Sequence, residues 1–360
     1  MSAGLDVTAV MLTIGEPTFE RARQSVLRQT HPVREVVVIE NVHPFHRAFN
    51  AGAARVRTPF FVQVDADMIL DDDCVAYLLA RFAEGVGSVV GHLRDALYGR
   101  VEGVKVYRTA CVGDGQPDSI SPDTDLHDRM AREGWATVYA LRQADRGRDA
   151  WHTCGEHRPD YTPFLGYARH VVDGRRWRYR GNAEALRHHF HLLHRSPHPA
   201  ALISHVALAH GVFLPGESDL LARYEPDADY RRIVELLGRA ARPGPRPPGS
   251  RPRLPSLTAK QAFTRYYRRG IEIARAGRRR DLEDELGRLH RTLHPWAWLM
   301  QAALCQGLFV DRFDPIRRDR DWAQLGVFAY YFEPRSVARR LARELRNRLA
   351  AARARIAQGS

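Results

Sequence analysis

The stretch Phe60–Met68, which reads FFVQVDADM, constrains the fold of this chain more than any other. An apolar run rich in β-formers ends in two aspartates one residue apart, as a buried strand does at the edge of a sheet. Open α/β sheets bind ligands just beyond the carboxyl ends of their strands, so Asp65 and Asp67 would face a ligand there. Two such carboxylates repel each other unless a cation, such as a hard divalent metal ion, lies between them. A solvated Asp-x-Asp turn is the plainer interpretation of the pair taken alone.

The upstream sequence favours the ligand-site interpretation. The apolar runs Val7–Thr13 and Glu35–Ile39 read as buried strands, and the segments Phe19–Gln29 and His46–Arg55 have helical spacing. Alternation of strands and helices with short connections predicts a parallel sheet wound by right-handed crossovers. Polar residues follow the strands at one common edge of this sheet, namely Thr13, Glu16, Glu40, Asn41, Asp65 and Asp67.

Three segments of the chain resemble a known family. The segments SVLRQTHPVREVVVIEN and AFNAGAARVRTPFFVQVDADMIL look like the donor half of a family-two glycosyltransferase with the GT-A fold, and SPDTDLHDRMAREGWATVYA is similar to the family's second acidic motif. The resemblance covers roughly residues 5–157. The chain departs from the family's pattern at two places, and both bear on the identity of the nucleotide. The family usually has Pro-x-Tyr-Asn where this chain has Thr13-Ile14-Gly15-Glu16, and Asp-Asp where it has Glu40-Asn41.

The resemblance implies an α/β domain of GT-A type with a central, mostly parallel sheet, which binds a nucleotide-diphosphate sugar together with Mn²⁺ or Mg²⁺. Asp67 would bind the metal directly, and Asp65 would join it or contact the ribose or a metal-bound water. The family often adds a histidine ligand, for which His152 is the best match and His157 the runner-up. Donor contacts are expected at Thr13, Glu16, Glu40, Asn50, Asp65 and Arg129.

The second acidic motif supplies candidates for the catalytic base. Inverting transfer requires a group that deprotonates the acceptor hydroxyl, and a carboxylate within hydrogen-bond reach suffices. Asp123 occupies the place of the family's catalytic aspartate, and Asp125 lies two residues on. Asp123 could also cap the helix predicted over Leu126–Arg132, and the two roles are compatible. Arg129 lies one helical turn beyond Asp125 and could pair with it or reach a phosphate.

Composition divides the chain near residue 240. Residues 241–360 hold 26 arginines and lysines against 11 aspartates and glutamates, so this part accounts for the net charge of +13. We expect a GT-A domain at 1–182, a helical segment packed on it at 183–240, a Pro/Arg-rich linker or loop at 241–256 and a basic helical region at 257–360.

Two apolar patterns in the basic region bear on membranes. The stretch Trp296–Val310 is too short to span a bilayer and is expected to form a buried helix. From Ser336 onward, apolar residues recur at helical spacing among arginines. This amphipathic pattern suits either packing on the protein's own helices or peripheral contact with an anionic membrane.

The sequence therefore predicts a metal-dependent, inverting glycosyltransferase that acts on a glycan, a lipid-linked acceptor or another hydroxyl. The alternatives are a nucleotidyltransferase of related fold, a basic nucleic-acid- or membrane-binding protein without catalysis, and a catalytically silent scaffold. No Gly-rich, lysine-anchored phosphate loop follows the first strand, which disfavours the nucleotidyltransferase. No nucleic-acid partner is expected, because no recognised binding motif accompanies the basic region.

A cytoplasmic location is expected, with peripheral contact at the inner face of the cell membrane as an addition. Asp6 interrupts a start that lacks basic residues, which disfavours a signal peptide. The four cysteines show no disulfide framework, as is typical of a reducing compartment.

Overall fold

The computed structural model describes residues 5–140, 142–143, 151–214, 226–237, 257–292, 294 and 296–331. Contacts divide the chain into two compact units, Met1–Asp160 and Tyr161–Ser360. The helix Pro163–Tyr179, which the sequence-based division assigns to the first domain, packs within the second unit. The predicted linker 241–256 and the amphipathic tail from Ser336 lie outside the described residues.

The first unit alternates strands and helices, as the sequence predicts. Its described elements are β1 (Val7–Thr13), α1 (Phe19–Leu27), β2 (Glu35–Glu40), α2 (Phe45–Ala53), β3 (Phe60–Asp65), β4 (Met68–Leu70), α3 (Cys74–Leu79), β5 (Val86–Asp95), β6 (Gly99–Arg108), α4 (Pro122–Arg132), β7 (Ala136–Ala140), β8 (Arg142–Gln143), β9 (Trp151–His152) and β10 (Gly155–His157).

Eight of these strands form one mixed sheet in the order β2-β1-β3-β6-β5-β10-β4, with β7 paired to β5 beside this path. The pairs β1–β2, β1–β3, β5–β7 and β5–β10 are parallel. The pairs β3–β6, β5–β6 and β4–β10 are antiparallel. The α/β class and the mostly parallel central sheet are therefore confirmed.

Apolar runs in the sequence become buried strands because both faces of the sheet are covered. Every residue of β1 is buried, and so are all residues of β3 except Asp65. The side chains on one face pack with α1 and α3, and those on the other pack with α2 and α4. Continuous rather than alternating hydrophobic patterns are typical of such two-sided burial.

The described part of the second unit is helical. Its helices are α5 (Pro163–Tyr179), α6 (Ala183–Arg195), α7 (Ala201–Gly211), α8 (Pro226–Leu237), α9 (Ala259–Ala276), α10 (Arg279–Arg291), α11 (Ala297–Gly307) and α12 (Pro315–Tyr331). The predicted helical C-terminal region is confirmed over the described residues, which end at Tyr331. So is the buried helix within Trp296–Val310, because all residues of α11 from Trp298 to Gly307 are buried. No helix among the described residues is long and apolar enough to cross a membrane.

These helices form a tandem repeat that the sequence analysis does not anticipate. The helices α9, α10 and α11 begin 96 residues after α5, α6 and α7 respectively, the same spacing that separates the hydrogen-bonded side chains of His210 and Gln306. The threonine before the first helix caps it in both copies, Thr162 through the N–H of Leu165 and Thr258 through the N–H of Gln261. The second unit is therefore built from two copies of one helical motif.

A pair of glycines joins the first and third helices in each copy. A Cβ atom on Gly174 would lie 2.1 Å from the carbonyl oxygen of Leu208, and one on Gly211 would lie 2.0 Å from that of Val171. The corresponding distances in the second copy are 2.0 Å for Gly270 and 2.2 Å for Gly307. Because a side chain cannot fit at these distances, the glycines let the two helix backbones touch.

The fourth helix of each copy also makes equivalent contacts. Asp229 of α8 lies 3.2 Å from His210, and Asp321 of α12 accepts a hydrogen bond from Gln306. The next residue contacts an aromatic ring of the first helix in both copies, Tyr230 against Tyr167 and Trp322 against Phe263.

Candidate functional site

The parallel register of β1, β2 and β3 brings the predicted polar residues to one edge of the sheet. Thr13 pairs with Glu40 across β1 and β2, and Leu12 pairs with Asp65 across β1 and β3. All three strands run in the same direction, so their carboxyl ends meet there. The structure thus gathers Thr13, Glu40 and Asp65 as the strand-end pattern predicts.

Glu16 is held at the same edge by a tight turn after β1. The Thr13 hydroxyl donates a hydrogen bond to Glu16 Oε2 at 2.7 Å, and the N–H of Ile14 donates to the same oxygen at 2.8 Å. Gly15 has φ +97°, which allows the backbone to fold back on itself. The Glu16 carboxylate is therefore fixed beside the strand end.

Asp65 is partly buried at the end of β3. Burial and the charge of Asp67 raise the pKa of its carboxyl to about 6, although Lys105 and a hydrogen bond from Gln63 act in the opposite direction. Gln63 Nε2 donates that bond to Asp65 Oδ1 at 2.7 Å. A cation placed between Asp65 and Asp67 would relieve their repulsion.

A histidine on β10 faces Asp67. His157 Nε2 lies 3.3 Å from Asp67 Oδ2, and His157 Nδ1 lies 2.7 Å from Asp95 Oδ2. Asp95 is itself fixed, because its Oδ1 accepts hydrogen bonds from the N–H groups of Leu97 and Tyr98. A carboxylate behind an imidazole fixes the ring orientation, an arrangement that commonly supports metal-binding histidines.

Of the two histidines considered from the sequence, the runner-up His157 is the one the described structure places beside Asp67. His152, the first choice, lies in β9 opposite Arg142, and its side chain is outside the described part of the chain.

The residues around Asp67 have the right chemistry for a divalent cation. Carboxylate oxygens from Asp65 and Asp67 and the imidazole of His157 are donor types that suit Mn²⁺, and the carboxylates also suit Mg²⁺. Within the described residues, no three such groups are already close enough together to form a complete metal cluster. Loading a metal would therefore require His157 and Asp67 to exchange their direct contact for metal coordination.

Helix α4 carries the second acidic motif. Ser121 is its N-cap residue and Asp123 lies in its first turn, so the helix begins earlier than the predicted Leu126. Asp123 Oδ1 accepts a hydrogen bond from the N–H of Thr124, and Oδ2 lies 3.5 Å from Lys105 Nζ. Asp123 therefore contributes to the first turn and also faces a cation across the site.

Asp125 and Arg129 have partners on α4 and the preceding loop. Asp125 accepts a short hydrogen bond from the Ser119 hydroxyl. Arg129 donates to the carbonyl of Val112, and its Nε lies 3.8 Å from Glu133.

Asn50 fixes the loop before α4. Its Nδ2 donates to the carbonyl of Gln116 at 2.9 Å, and its Oδ1 accepts from the Gln116 N–H at 2.7 Å. Gly115, with φ +84°, approaches so closely that a Cβ atom would lie 2.1 Å from Asn50 Oδ1. In this structure Asn50 thus positions the segment that leads to Asp123, and its predicted contact with the nucleotide stays a prediction.

Sequence reasoning missed three groups beneath the site, of which Tyr107 is buried and Lys105 and His127 are half-buried. Lys105 on β6 lies opposite Gln63 of β3, and its side chain is only 12% exposed. Tyr107, two residues on, has a pKa raised well above its usual range by burial and by the charges of Asp123 and Asp65. Its hydroxyl has no hydrogen-bond partner within the described structure.

His127, one turn after Asp123, is the third missed group. Burial and the charge of Lys105 lower its pKa to about 4, so the ring is neutral near pH 7. The sequence feature that could have pointed to these three groups is Lys105, because it is one of only two lysines in the chain and lies within a β-rich run.

No family model and no curated protein sequence matches the chain. Among solved structures, it is similar to the mannosyltransferase PcManGT of Pyrobaculum calidifontis in complex with GDP-Man and Mn²⁺, at 15% identity and a TM-score of 0.39 over 65% of this chain and 86% of that one. It is also similar to Staphylococcus aureus TarS 1-349 in complex with UDP-GlcNAc, at 12% identity and a TM-score of 0.32 over 86% and 94% of the two chains.

A third match is a putative glucose-1-phosphate thymidylyltransferase of Bacillus anthracis, at 12% identity and a TM-score of 0.28 over 42% of this chain and 91% of that one. At these levels the likenesses assign neither an activity nor a substrate to this chain.

Proposed function

We propose that this chain is a metal-dependent, inverting glycosyltransferase that uses a nucleotide-diphosphate sugar. The observation that carries the proposal is the convergence at one sheet edge of Asp65 and Asp67 with His157, beside a helix that presents Asp123 next to Lys105. Acidic donors for a cation and a separate carboxylate for proton removal are the two requirements of this reaction.

The residues divide by role. Asp67 and His157 would hold Mn²⁺ or Mg²⁺ with Asp65, and a bound ion would neutralise the charge that develops on the leaving diphosphate. Thr13, Glu16 and Glu40 line the edge where the base and ribose would lie. The carboxylates of Glu16 and Glu40 accept hydrogen bonds from hydroxyl and amino groups.

Asp123 is the proposed base. Its carboxylate would accept the proton of the acceptor hydroxyl as the oxygen attacks the anomeric carbon. Lys105 stabilises the negative charge of Asp123 before the transfer and orients Oδ2, because the ammonium lies 3.5 Å away. The hydroxyl of Tyr107, kept protonated by its surroundings, is available as a hydrogen-bond donor beneath the two carboxylates.

The direct test incubates the full chain with a panel of nucleotide-diphosphate sugars and Mn²⁺ or Mg²⁺. Release of a nucleoside diphosphate that requires the metal and Asp67 supports the proposal. Release of pyrophosphate would instead identify a nucleotidyltransferase. Metal-dependent nucleotide binding without turnover of any donor would favour the catalytically silent scaffold.

The remaining parts of the proposal concern the acceptor and the surroundings. We also propose that the acceptor is a glycan or a lipid-linked compound. The division of the chain into domains at residues 182, 240 and 256 stays a proposal, and so does peripheral contact of the tail with an anionic membrane. Cosedimentation of the full chain and of a chain ending before Ser336 with anionic liposomes tests the membrane contact. Equal binding by both forms, or by neither, would remove the tail from that role.

A further inference from the structure

A cavity of about 750 Å³ lies within the second unit, between the two copies of the helical repeat. One wall is a single face of α6, where Glu184, Arg187, His188 and His191 line the cavity. Their spacing of three or four residues places them on one side of a helix. This wall therefore carries one arginine and two imidazoles, and its one carboxylate is that of Glu184.

The opposite wall comes from the second copy and adds two more imidazoles, His290 and His294. His294 Nδ1 accepts a hydrogen bond from the N–H of Trp296 at 3.2 Å, so the neutral ring carries its proton on Nε2, as a donor.

The first residues of α11, Ala297 and Trp298, also line the cavity. This helix has no acidic residue in its first turn and no side-chain cap from Trp296. A helix N-terminus of this kind favours an anion.

Gln301 adds an independent observation, because it is a buried polar side chain with an unsatisfied atom. It lines the cavity one turn along α11 and is only 6% exposed. Its Oε1 atom has no hydrogen-bond partner within the described structure. A buried amide oxygen without a donor is costly, and a turn of the Gln301 side chain toward the cavity would let an O–H or N–H group of a ligand satisfy it.

The second copy of the repeat offers an internal comparison for the wall formed by α6, which carries Arg187, His188 and His191. Several residues that pack the motif are the same in both copies, including the paired glycines and the histidines His194 and His290. The cavity-lining residues Arg187, His188 and His191 instead correspond to Glu283, Asp284 and Gly287 in the second copy. The helical scaffold therefore does not require cations there, and another reason for them is needed.

The imidazoles lie close to one another and to arginines. The ring centroid of His191 lies 4.6 Å from that of His290, which lies 3.8 Å from that of His194. Burial and the charges of Arg195, His188 and Arg187 lower the pKa of His191. An anion held between these groups would counter the effect of the neighbouring cations on the His191 ring.

We propose that this cavity binds a phosphate monoester of a polyhydroxy compound, such as a sugar phosphate. Arg187 and the imidazoles would bind the phosphate oxygens through charge-assisted hydrogen bonds, and a ligand hydroxyl would donate to Gln301. The volume is that of a small-molecule site rather than of a site for a lone ion. The proposal stands whether or not the first unit is a glycosyltransferase.

Isothermal titration of the full chain with glucose 6-phosphate tests this site, with glucose as the uncharged comparison. We expect saturable binding of the phosphate ester and none of glucose. Arg187→Gln and His191→Gln should each weaken binding by about 10-fold or more, because each removes a charge-assisted bond. Gln301→Leu should weaken it as well, and should weaken the binding of inorganic phosphate less.

His189→Gln is the matched control. His189 is adjacent to the cavity wall, but its ring bonds the carbonyl of Ala185 and packs on Trp177, so binding should be unchanged. Asp67→Ala should also leave binding unchanged, which separates this cavity from the sheet edge. No saturable binding up to about 10 mM, or binding that the Arg187→Gln/His191→Gln double variant leaves intact, would overturn the proposal. Arg187 is exposed, so Arg187→Gln decides the question even if His191→Gln impairs folding.

Discussion

The sheet edge of the first unit and the cavity of the second assemble polar groups in two different ways. At the sheet edge, parallel register alone places Thr13, Glu40 and Asp65 together, because neighbouring strands end at the same level. In the cavity, one wall comes from a helix face near residue 187 and the other from residues 289–301 of the second copy. Strand ends can be located from local sequence patterns, whereas facing helix walls require knowledge of which helices pack together.

The largest effect should come from the residue on which the metal-binding hypothesis depends. Asp67→Ala is expected to abolish metal-dependent nucleotide binding and to reduce turnover below ~1% of wild type, since even outer-shell changes at metal sites cost 10- to 100-fold. Thermal shift with nucleoside diphosphates, with and without Mn²⁺, and a turnover assay measure the two effects. Asp72→Ala removes a nearby exposed carboxylate and should change neither. Retained metal-dependent activity in Asp67→Ala would place the metal elsewhere.

The sequence predicts this edge well but its supporting groups poorly. The aspartates and the polar strand ends follow directly from apolar runs that stop at charged residues. His157 could not be preferred over His152, because its contact with Asp67 depends on the pairing of β10 with β4 and β5. Lys105 and Tyr107 lie on an antiparallel strand whose neighbour, β3, is some 40 residues earlier in the chain, a pairing that hydrophobic periodicity does not reveal.

The helical repeat escaped sequence analysis for a related reason. The two copies differ at most surface positions, and both the linker and the different connections before α8 and α12 interrupt their correspondence. What they share is mainly the packing residues, such as Gly174 with Gly270 and Gly211 with Gly307. Their importance is apparent only once the backbone contacts are known.

A second prediction separates chemistry from binding within the sheet edge. Asp123→Asn should preserve donor affinity and lower kcat by ~100-fold or more, within the range for loss of a general base. Asp128→Asn, one turn along α4 on its exposed side, is the matched control and should retain activity. If Asp123→Asn remains active and Asp125→Asn does not, the two aspartates exchange roles.

The third prediction concerns the helix contact on which the second unit is built. Gly174→Ala would place a Cβ atom 2.1 Å from the backbone carbonyl of Leu208, which cannot move without separating α5 from α7. We expect a loss of about 1–3 kcal/mol in the free energy of unfolding, as is typical of overpacking. Chemical denaturation followed by circular dichroism gives this value. Unchanged stability would show that the two helices separate at no cost.

Lys105→Met should have a smaller effect, on activity rather than on stability. The substitution keeps the side-chain volume but removes the cation beside Asp123, so we expect kcat to fall by ~10-fold with little change in the KM for the donor. Lys105→Arg should restore part of the activity if charge is what matters. An equal loss in both variants would indicate that the lysine acts through packing alone. Lys260→Met, at the other lysine of the chain, is an exposed control.

The smallest expected effect tests the repeat itself, because it exchanges a residue of one copy for its counterpart in the other. Gly166 of α5 corresponds to Ala262 of α9, and a Cβ atom on Gly166 would meet only Ser204 Oγ, at an ordinary contact distance of 3.7 Å. Gly166 sits in a helix, where alanine is favoured over glycine by about 1 kcal/mol. Gly166→Ala should therefore stabilise the protein by about 0.5–1 kcal/mol, whereas Gly174→Ala, eight residues along the same helix, destabilises it. Denaturation midpoints of the two variants are measured side by side. Opposite shifts indicate that packing at each position decides the effect, whereas two raised midpoints indicate that α5 tolerates alanine generally. A destabilised Gly166→Ala would mean that the two copies are not interchangeable at this site.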